Sequence, residues 1–305
     1  MTKTAEYPQS TFVPPAPTRT VSVGRRLSSA PLPQSVSRAR SAAKKLVWTA
    51  FEARLVTTPV RYAYRELVAP QTGDYTLRHS GGHFSLRHRS GDVDIFRKFY
   101  AYGYYAWPSD VTAHLQRLNR PLHVLDLGAN IGFFDVHARE QLPIGSVVCF
   151  EPDPDNARVL ERVRVANGAN WEIVRACASN QGGQVMFKSG RQNFSQIASD
   201  GDFSVPCVDV MPYIAEADLI KMNIEGSEWE ILEDPRLADT SGAWIVEYHR
   251  IRNPERDITD HVQSLFHRAG YTTQVAVCHQ NNGLVWAWKD PEPRLGPGAP
   301  LPADL

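Results

Sequence analysis

Cysteine is scarce and unpatterned in this chain: Cys149, Cys177, Cys207 and Cys278 are scattered over 305 residues with no C-x-x-C pair. That spacing speaks against a disulfide-stapled fold, and three of the four lie in or beside apolar runs, where a free thiol behaves as a small hydrophobe. A reducing compartment, and hence a cytoplasmic protein, fits better than a secreted one. No apolar run approaches the ~20 residues that a membrane-spanning helix needs. The first residues also lack the unbroken apolar stretch of a secretory signal. Net charge is missing too, with 33 Lys/Arg against 33 Asp/Glu. The charge is unevenly placed, however. Residues 1–69 hold 11 Lys/Arg and 3 Asp/Glu, an excess of +8 that leaves −8 on the remainder. A nucleic-acid partner for that remainder is disfavoured, and the N-terminal arm is left as the basic surface.

What is present is ordinary for a folded protein: 42% apolar and 22% charged residues, enough chain for one large α/β core with a modest appendage. Residues 1–40 are rich in Pro and Ser and are expected to be a disordered tail. Their prolines (Pro8, Pro14, Pro15, Pro17, Pro31, Pro33) outweigh a Ser/Arg-rich likeness to a transit peptide. Residues 41–120 read as an extension of helices and short strands. Val47, Trp48, Phe51 and Leu55 recur at helical spacing over 41–57, and a second short helix is expected over 60–67 beyond Pro59. That stripe either packs on the domain or lies as a basic amphipathic segment in peripheral contact with a membrane surface. Two strands, near 75–77 and 84–86, and a short helix should follow, with the aromatics of 96–107 as core. Residues 291–305 read as a second disordered tail.

From 122 onward strands and helices alternate. Strands are expected at 122–127, 146–150, 171–176, 219–223 and 243–247, with helices between them, one of them capped by Asp153 with Pro154 at its first position. Gly182-Gly183 opens a hairpin-like insertion, a helix is expected near 254–269, and strands at 271–277 and 284–288 turn around Asn281-Asn282-Gly283. Alternating βα units imply a parallel, doubly wound α/β sheet over 121–290. The closing strand pair adds an antiparallel edge, which separates the class I methyltransferase form of the Rossmann-like sheet from the dinucleotide-binding form.

The run Asp126-Leu127-Gly128-Ala129-Asn130-Ile131-Gly132-Phe133 is a strand end, a glycine turn and a helix start. Glycines there let backbone approach a ligand. An acidic residue before the first glycine repels a pyrophosphate and attracts a sulfonium or an amino group. Glu151 ends the second strand, 23 residues beyond Gly128, where doubly wound folds place a carboxylate for ribose hydroxyls. Together these point to an adenosyl cofactor.

The run from Asp218 through Lys221, Asn223, Glu225, Gly226 and Glu228 to Leu232 closely resembles the hallmark of FkbM methyltransferases, Lys-x-Asp-x-Glu-Gly-x-Glu after the fourth strand. Cys149-Phe150-Glu151-Pro152-Asp153-Pro154 and Ile245-Val246-Glu247-Tyr248-His249 resemble two further motifs of that family, as does Asp94-Ile95-Phe96 followed by Gly103-Tyr104-Tyr105. The chain departs from the pattern at Asn223, where the family usually has Asp. The resemblance implies methyl transfer from S-adenosyl-L-methionine, usually to a hydroxyl of a sugar, a glycolipid or a natural product. Candidate cofactor contacts are then Asp126, Gly128, Asn130, Gly132, Phe133, Glu151, Asp153 and Asn223.

A sugar hydroxyl is a poor nucleophile and needs a base or a metal. His249 is the leading base, since imidazole titrates near neutral pH, and Glu225 and Glu247 are its rivals. Glu225 could instead pair with Lys221 or bond the helix amides from Gly226. Asn223, Glu247 and His249 could hold a divalent ion, but neutral Asn223 weakens that set and no metal is assigned. Trp229 reads as core. Two other classes stay open: a nicotinamide-dependent oxidoreductase, and a non-catalytic adenosyl-binding module.

Overall fold

The computed structural model describes residues 34–188, 196–197, 201, 203–251 and 257–289. The chain divides into two units, 1–47 and 48–305. Of the first, the described part belongs to helix α1, Gln34–Leu55. α1 therefore starts before residue 41, inside the stretch expected to be tail; the rest of that tail, 1–33, and the C-terminal one lie outside the described residues. In the second unit follow α2 (Pro59–Leu67), β1 (Thr72–Thr76), β2 (His83–Arg87), α3 (Gly91–Tyr100) and α4 (Ser109–Gln116). The βα units are β3 (Leu122–Leu127), α5 (Phe133–Gln141), β4 (Ile144–Phe150), α6 (Pro154–Ala166) and β5 (Trp171–Val174). An insertion carries β6 (Cys177–Ser179), β7 (Gly183–Lys188), β8 (Gln196–Ile197) and β9 (Phe203–Asp209). Last come α7 (Met211–Glu216), β10 (Leu219–Met222), α8 (Glu228–Leu232), a 3-10 turn at Pro235–Asp239, β11 (Ala243–His249), α9 (Ile258–Arg268), β12 (Thr272–Cys278) and β13 (Asn282–Trp288).

The main sheet has seven strands in the order β12-β13-β11-β10-β3-β4-β5. β13 lies antiparallel between β11 and β12, and β10 pairs in parallel with β11 and β3, as β4 does with β3 and β5. This is the class I methyltransferase sheet expected from the alternation. Its strands read as continuous apolar runs because both faces are covered. Val124, Leu219, Ile245 and Trp286 pack on one face, and their neighbours Leu125, Ile220, Trp244 and Val285 on the other. Asp126 falls in step with Val124 and so points into the first face, towards α5.

Local chemistry sets the element ends. Asp153 Oδ1 accepts the amides of Asp155 (2.8 Å) and Asn156 (3.2 Å), and Pro154 opens α6, as expected from the sequence. The helix after β10 begins at Glu228 rather than at residue 226, because Glu225 and Gly226 take left-handed φ of 54° and 100°. β11 runs on to His249, two residues past its expected end. Asn282 and Gly283 belong to β13 and not to the turn, and Gly283 is needed there because a Cβ would stand 2.2 Å from the Tyr248 hydroxyl oxygen. The expected helix near residue 254 starts at Ile258; 252–256 lie outside the described residues. The insertion is larger than a hairpin: β6 pairs in parallel with β9, and β7 lies antiparallel to both β9 and β8.

The extension shares the core of the first face. Phe84 stacks on Phe96 at 5.0 Å, and Phe96 meets Phe133 of α5 at 5.7 Å. Phe96, Phe99 and Tyr105 are buried as expected, whereas Tyr102 is 51% exposed.

Leu125, 1% exposed at the centre of the sheet, tests this packing. Leu125→Ala should lower unfolding free energy by about 2–5 kcal/mol, read from urea titrations of both proteins, through lost transfer energy and an unfilled cavity.

Candidate active site

A cavity of about 840 Å³ opens beyond the carboxyl ends of β3, β4, β10 and β11. Doubly wound sheets place ligands at that edge. α3 closes part of it with Lys98 and Phe99, and β7 of the insertion adds Phe187.

The glycine turn makes the first wall. Gly128 has φ +79°, and a Cβ on it would sit 2.0 Å from the Asn223 carbonyl oxygen, so the ends of β3 and β10 can approach only if this residue is glycine. Gly132, φ +84°, faces Leu160 and is not a lining residue. Asn130 takes φ +53° and donates its amide to Glu151 Oε2 at 2.7 Å, while the Asp153 amide meets Glu151 Oε1 at 2.9 Å. Burial pushes the Glu151 carboxyl up to about 7 against the pull of these two amides. Glu151, Asn130, Gly128, Phe133 and Asn223 all line the cavity. Asp153 does not; its carboxylate is spent on capping α6.

Asp126 does not reach the cavity either. It is fully buried, and β10 sets Lys221 directly opposite it in register, with Nζ 2.8 Å from Asp126 Oδ1. Lys221 Nζ also donates to the Gly128 carbonyl at 2.6 Å. The charge expected to meet a cationic ligand group therefore meets Lys221, and Lys221 is taken from Glu225. Behind the pair, burial and the Asp126 charge push the Asp135 carboxyl well up.

The fourth and fifth strand ends gather carboxylates around one imidazole. Glu228, fully buried, accepts the amides of Ile224 (3.1 Å) and Gly226 (2.9 Å) and lies 3.0 Å from His249 Nδ1. The turn amides ahead of α8 thus go to Glu228, not to Glu225. His249 Nε2 faces Glu225 Oε2 at 3.7 Å. Burial alone would lower the His249 pKa, but the hydrogen bond and charge of Glu228, with Glu225 and Glu247 beyond, raise it to about 9. That holds His249 toward its imidazolium form near neutral pH, a form without a free lone pair for a proton. Glu247 is equally committed: it takes Lys98 Nζ (2.8 Å), the Tyr105 hydroxyl (2.8 Å) and Asn223 Nδ2 (3.3 Å). Burial opposes its ionisation, but Lys98 outweighs it and the carboxyl is held below its ordinary value. Glu225 differs, for burial pushes it up to about 7. Among the described residues no group of three His, Cys, Asp or Glu side chains has a metal-holding arrangement. Trp229 is core, as expected, and its indole N–H donates to the His249 carbonyl at 2.9 Å.

The structure thus brings Gly128, Asn130, Phe133, Glu151, Asn223, Glu225, Glu247 and His249 to one cavity, and leaves Asp126, Gly132 and Asp153 behind its wall. Sequence reasoning missed Lys98 and Tyr105, which lie 149 and 142 residues before their partner Glu247. It also gave Glu228 no role, although Glu228 stands in the hallmark run.

Glu228→Gln tests the imidazole's setting. The His249 midpoint, followed by NMR of the labelled ring, should fall from about 9 toward the ordinary 6.5. A raised folded pKa contributes stability that is complete below 6.5 and is lost as pH rises through about 9. The stability deficit of the variant should therefore shrink over that window, as measured by melting temperature.

Comparison with known proteins follows the same lines. Residues 126–273 match the family model for the methyltransferase FkbM domain. No curated protein matches the chain. Among solved structures it is similar to a methyltransferase FkbM of Methylobacillus flagellatus, 13% identical over 82% of this chain and 60% of that one, TM-score 0.42. It is also similar to a precorrin-6y C5,15-methyltransferase of Geobacter metallireducens, 17% identical over 59% of this chain and 86% of that one, TM-score 0.37. A third is TYW2 of M. jannaschii in complex with AdoMet, 14% identical over 70% and 84%, TM-score 0.36. Residues 126–273, which carry the glycine turn, Glu151, Glu225 and His249, are a methyltransferase FkbM domain.

Proposed function

We propose that this chain transfers the methyl group of S-adenosylmethionine to a hydroxyl of a sugar, glycolipid or related natural product, with Glu225 accepting the hydroxyl proton. One observation carries the reading: the Glu225 carboxyl, which burial pushes up to about 7, lines the cavity 3.7 Å from His249 Nε2, next to a wall that suits an adenosyl ligand.

The fit to the cofactor rests on donors and acceptors. Asn130 Oδ1 and Asn223 Oδ1 are buried acceptors with no hydrogen-bond partner in the protein, and both residues line the cavity. Such orphans suit a ligand that brings its own donors. Asn223 would take the methionyl ammonium and Glu151 the ribose hydroxyls. When bound, S-adenosylmethionine supplies a methyl carried on a sulfonium, an electrophile that needs no activation. The protein's own work is alignment, worth ~7–11 kcal/mol in favourable cases, and removal of one proton. Glu225 fits that task because a base works best with a pKa near the operating pH. His249, held by Glu228, keeps a positive charge against Glu225 and steadies its ionised form. Glu247, saturated by Lys98, Tyr105 and Asn223, fixes the amide of Asn223 so that its Oδ1 stays turned away from Glu247.

Two measurements test this. Glu151→Ala should weaken binding of S-adenosylhomocysteine by ~1.5–3 kcal/mol for each charge-assisted hydrogen bond lost, as read by calorimetry. In the unaltered protein that affinity should rise as pH climbs through about 7, because only the ionised Glu151 accepts two hydroxyls. Glu225→Gln should cut methyl transfer to a crude acceptor extract by ~10²–10⁴-fold with cofactor affinity nearly unchanged. The rate of the unaltered enzyme should rise with pH through about 7 as Glu225 ionises. Full turnover by Glu225→Gln would remove the base and leave alignment alone.

A further inference from the structure

The second unit opens with a surface that the chemistry above does not use. Val60 and Tyr64 of α2 and Val68 at its C-cap are spaced four apart, so they form one stripe, and they are 81%, 56% and 64% exposed. The opposite side of the same helix is anchored. Tyr62 is fully buried, 5.1 Å from Tyr75 and 4.9 Å from the His88 ring, and Glu66 is buried with Oε2 3.1 Å from His88 Nδ1. An anchored helix presents its stripe without any cost of ordering.

Within residues 48–69 charge has been sorted by burial; outside them the exposed Asp74, in the field of Arg61, is already taken by Arg162 at 2.7 Å. Between residues 48 and 69 the acidic side chains are Glu52 and Glu66, and both are withdrawn from solvent at 0% and 3% exposure. Glu52 is bound by Arg97 and by the Tyr62 hydroxyl, and Glu66 by His88 and the Arg89 amide. The basic side chains are Arg54, Arg61 and Arg65; Arg54 and Arg61 are exposed and Arg65 half-buried. Arg61 and Arg65 follow Val60 and Tyr64 around the helix, so they border the stripe on one side. The exposed charge of this segment is positive throughout, and it continues the basic excess of residues 1–69.

We propose that α2 is a docking surface for an anionic lipid membrane, with Val60, Tyr64 and Val68 entering the headgroup boundary and Arg61 and Arg54 meeting lipid phosphates. An apolar strip edged by arginine, with a tyrosine whose hydroxyl stays in water, is the composition that such a boundary takes up. Cationic side chains beside it are drawn to the negative surface potential. No helix among the described residues is long and apolar enough to cross a membrane, so the contact lies on the surface. A nucleic acid would reward the arginines but leave the two valines unpaid, which is why lipid is the partner chosen. The proposal does not depend on which acceptor is methylated.

Sedimentation of the full chain with vesicles tests it. The chain should pellet with vesicles of equimolar phosphatidylcholine and phosphatidylglycerol and stay in solution with phosphatidylcholine alone. The double variant Val60→Asp, Tyr64→Asp should lower the vesicle-bound partition roughly ten-fold or more, since it removes the apolar contact and adds two repelled charges. Its melting temperature and S-adenosylhomocysteine affinity should match the unaltered protein, because both side chains are exposed and neither lines the cavity. Arg61→Glu should weaken the same partition. Failure to pellet with the anionic vesicles overturns the proposal. So does undiminished pelleting of the double variant, which would assign binding to the basic arm alone. Single-stranded RNA binding that is lost in Arg61→Glu but kept in the double variant, without vesicle binding, would replace lipid by a polyanion.

Discussion

Everything at the cavity's first wall hangs on one buried ion pair, Lys221 with Asp126. Both side chains are withdrawn from water, at 5% and 0% exposure, so each has lost its hydration and depends on the other. Breaking such a pair by removing one partner costs about 3–5 kcal/mol, because it strands a buried charge. The pair does more than balance charge. Lys221 Nζ also grips the Gly128 carbonyl, so the ammonium fixes the glycine turn to β10 while β3 and β10 fix the ammonium. The Asp135 carboxyl behind it is pushed well up by burial and by Asp126, which keeps a second negative charge out of the same pocket. A lysine in register with the strand-end aspartate is thus a device for holding backbone where a ligand comes close.

The same economy of charge chooses among the three carboxylates at the other wall. Glu228 is consumed by two amides and an imidazole, and Glu247 by an ammonium, a hydroxyl and an amide. For Glu247 the Lys98 ammonium holds the carboxyl below its ordinary value, which makes it a weak base. Glu225 lacks such a set. It sits on a left-handed turn that Glu228 clamps through the Gly226 amide, and among the described residues its ionic partner is His249 at 3.7 Å. Glu247 is held low while burial pushes Glu225 up, so the two cavity carboxyls differ because of where hydrogen bonds were spent.

The parallel sheet and its antiparallel closing pair were legible because strands buried on both faces leave unbroken apolar runs, here at 122–127, 219–222 and 243–249. The cap at Asp153 and the carboxylate of Glu151 at the cavity end of β4 were legible because each follows from local chemistry and fixed spacing. Side-chain charge states were not. Nothing in a one-dimensional pattern tells that Lys221 faces Asp126 rather than Glu225, because the choice is made by strand register across two non-adjacent segments. The setting of His249 was hidden for the same reason. Its titration depends on Glu228, 21 residues earlier, and not on the imidazole's ordinary value. Lys98 carried no local signal, and Tyr105 stood in a quoted motif without any hint of its partner Glu247.

Those two residues change how the extension should be regarded. They lie before the matched segment 126–273, yet both bind Glu247, and through it they hold Asn223 at the cavity. The aromatic chain from Phe84 through Phe96 to Phe133 fixes α3 against α5, and Phe133 itself lines the cavity. A shift in α3 would move the Lys98 ammonium and leave Glu247 buried with an uncompensated charge, which would then draw on Asn223 or take up a proton. The methyltransferase domain's electrostatics are therefore completed by sequence outside the domain. Because α3 also lines the cavity through Lys98 and Phe99, the segment that tunes Glu247 is itself part of the wall.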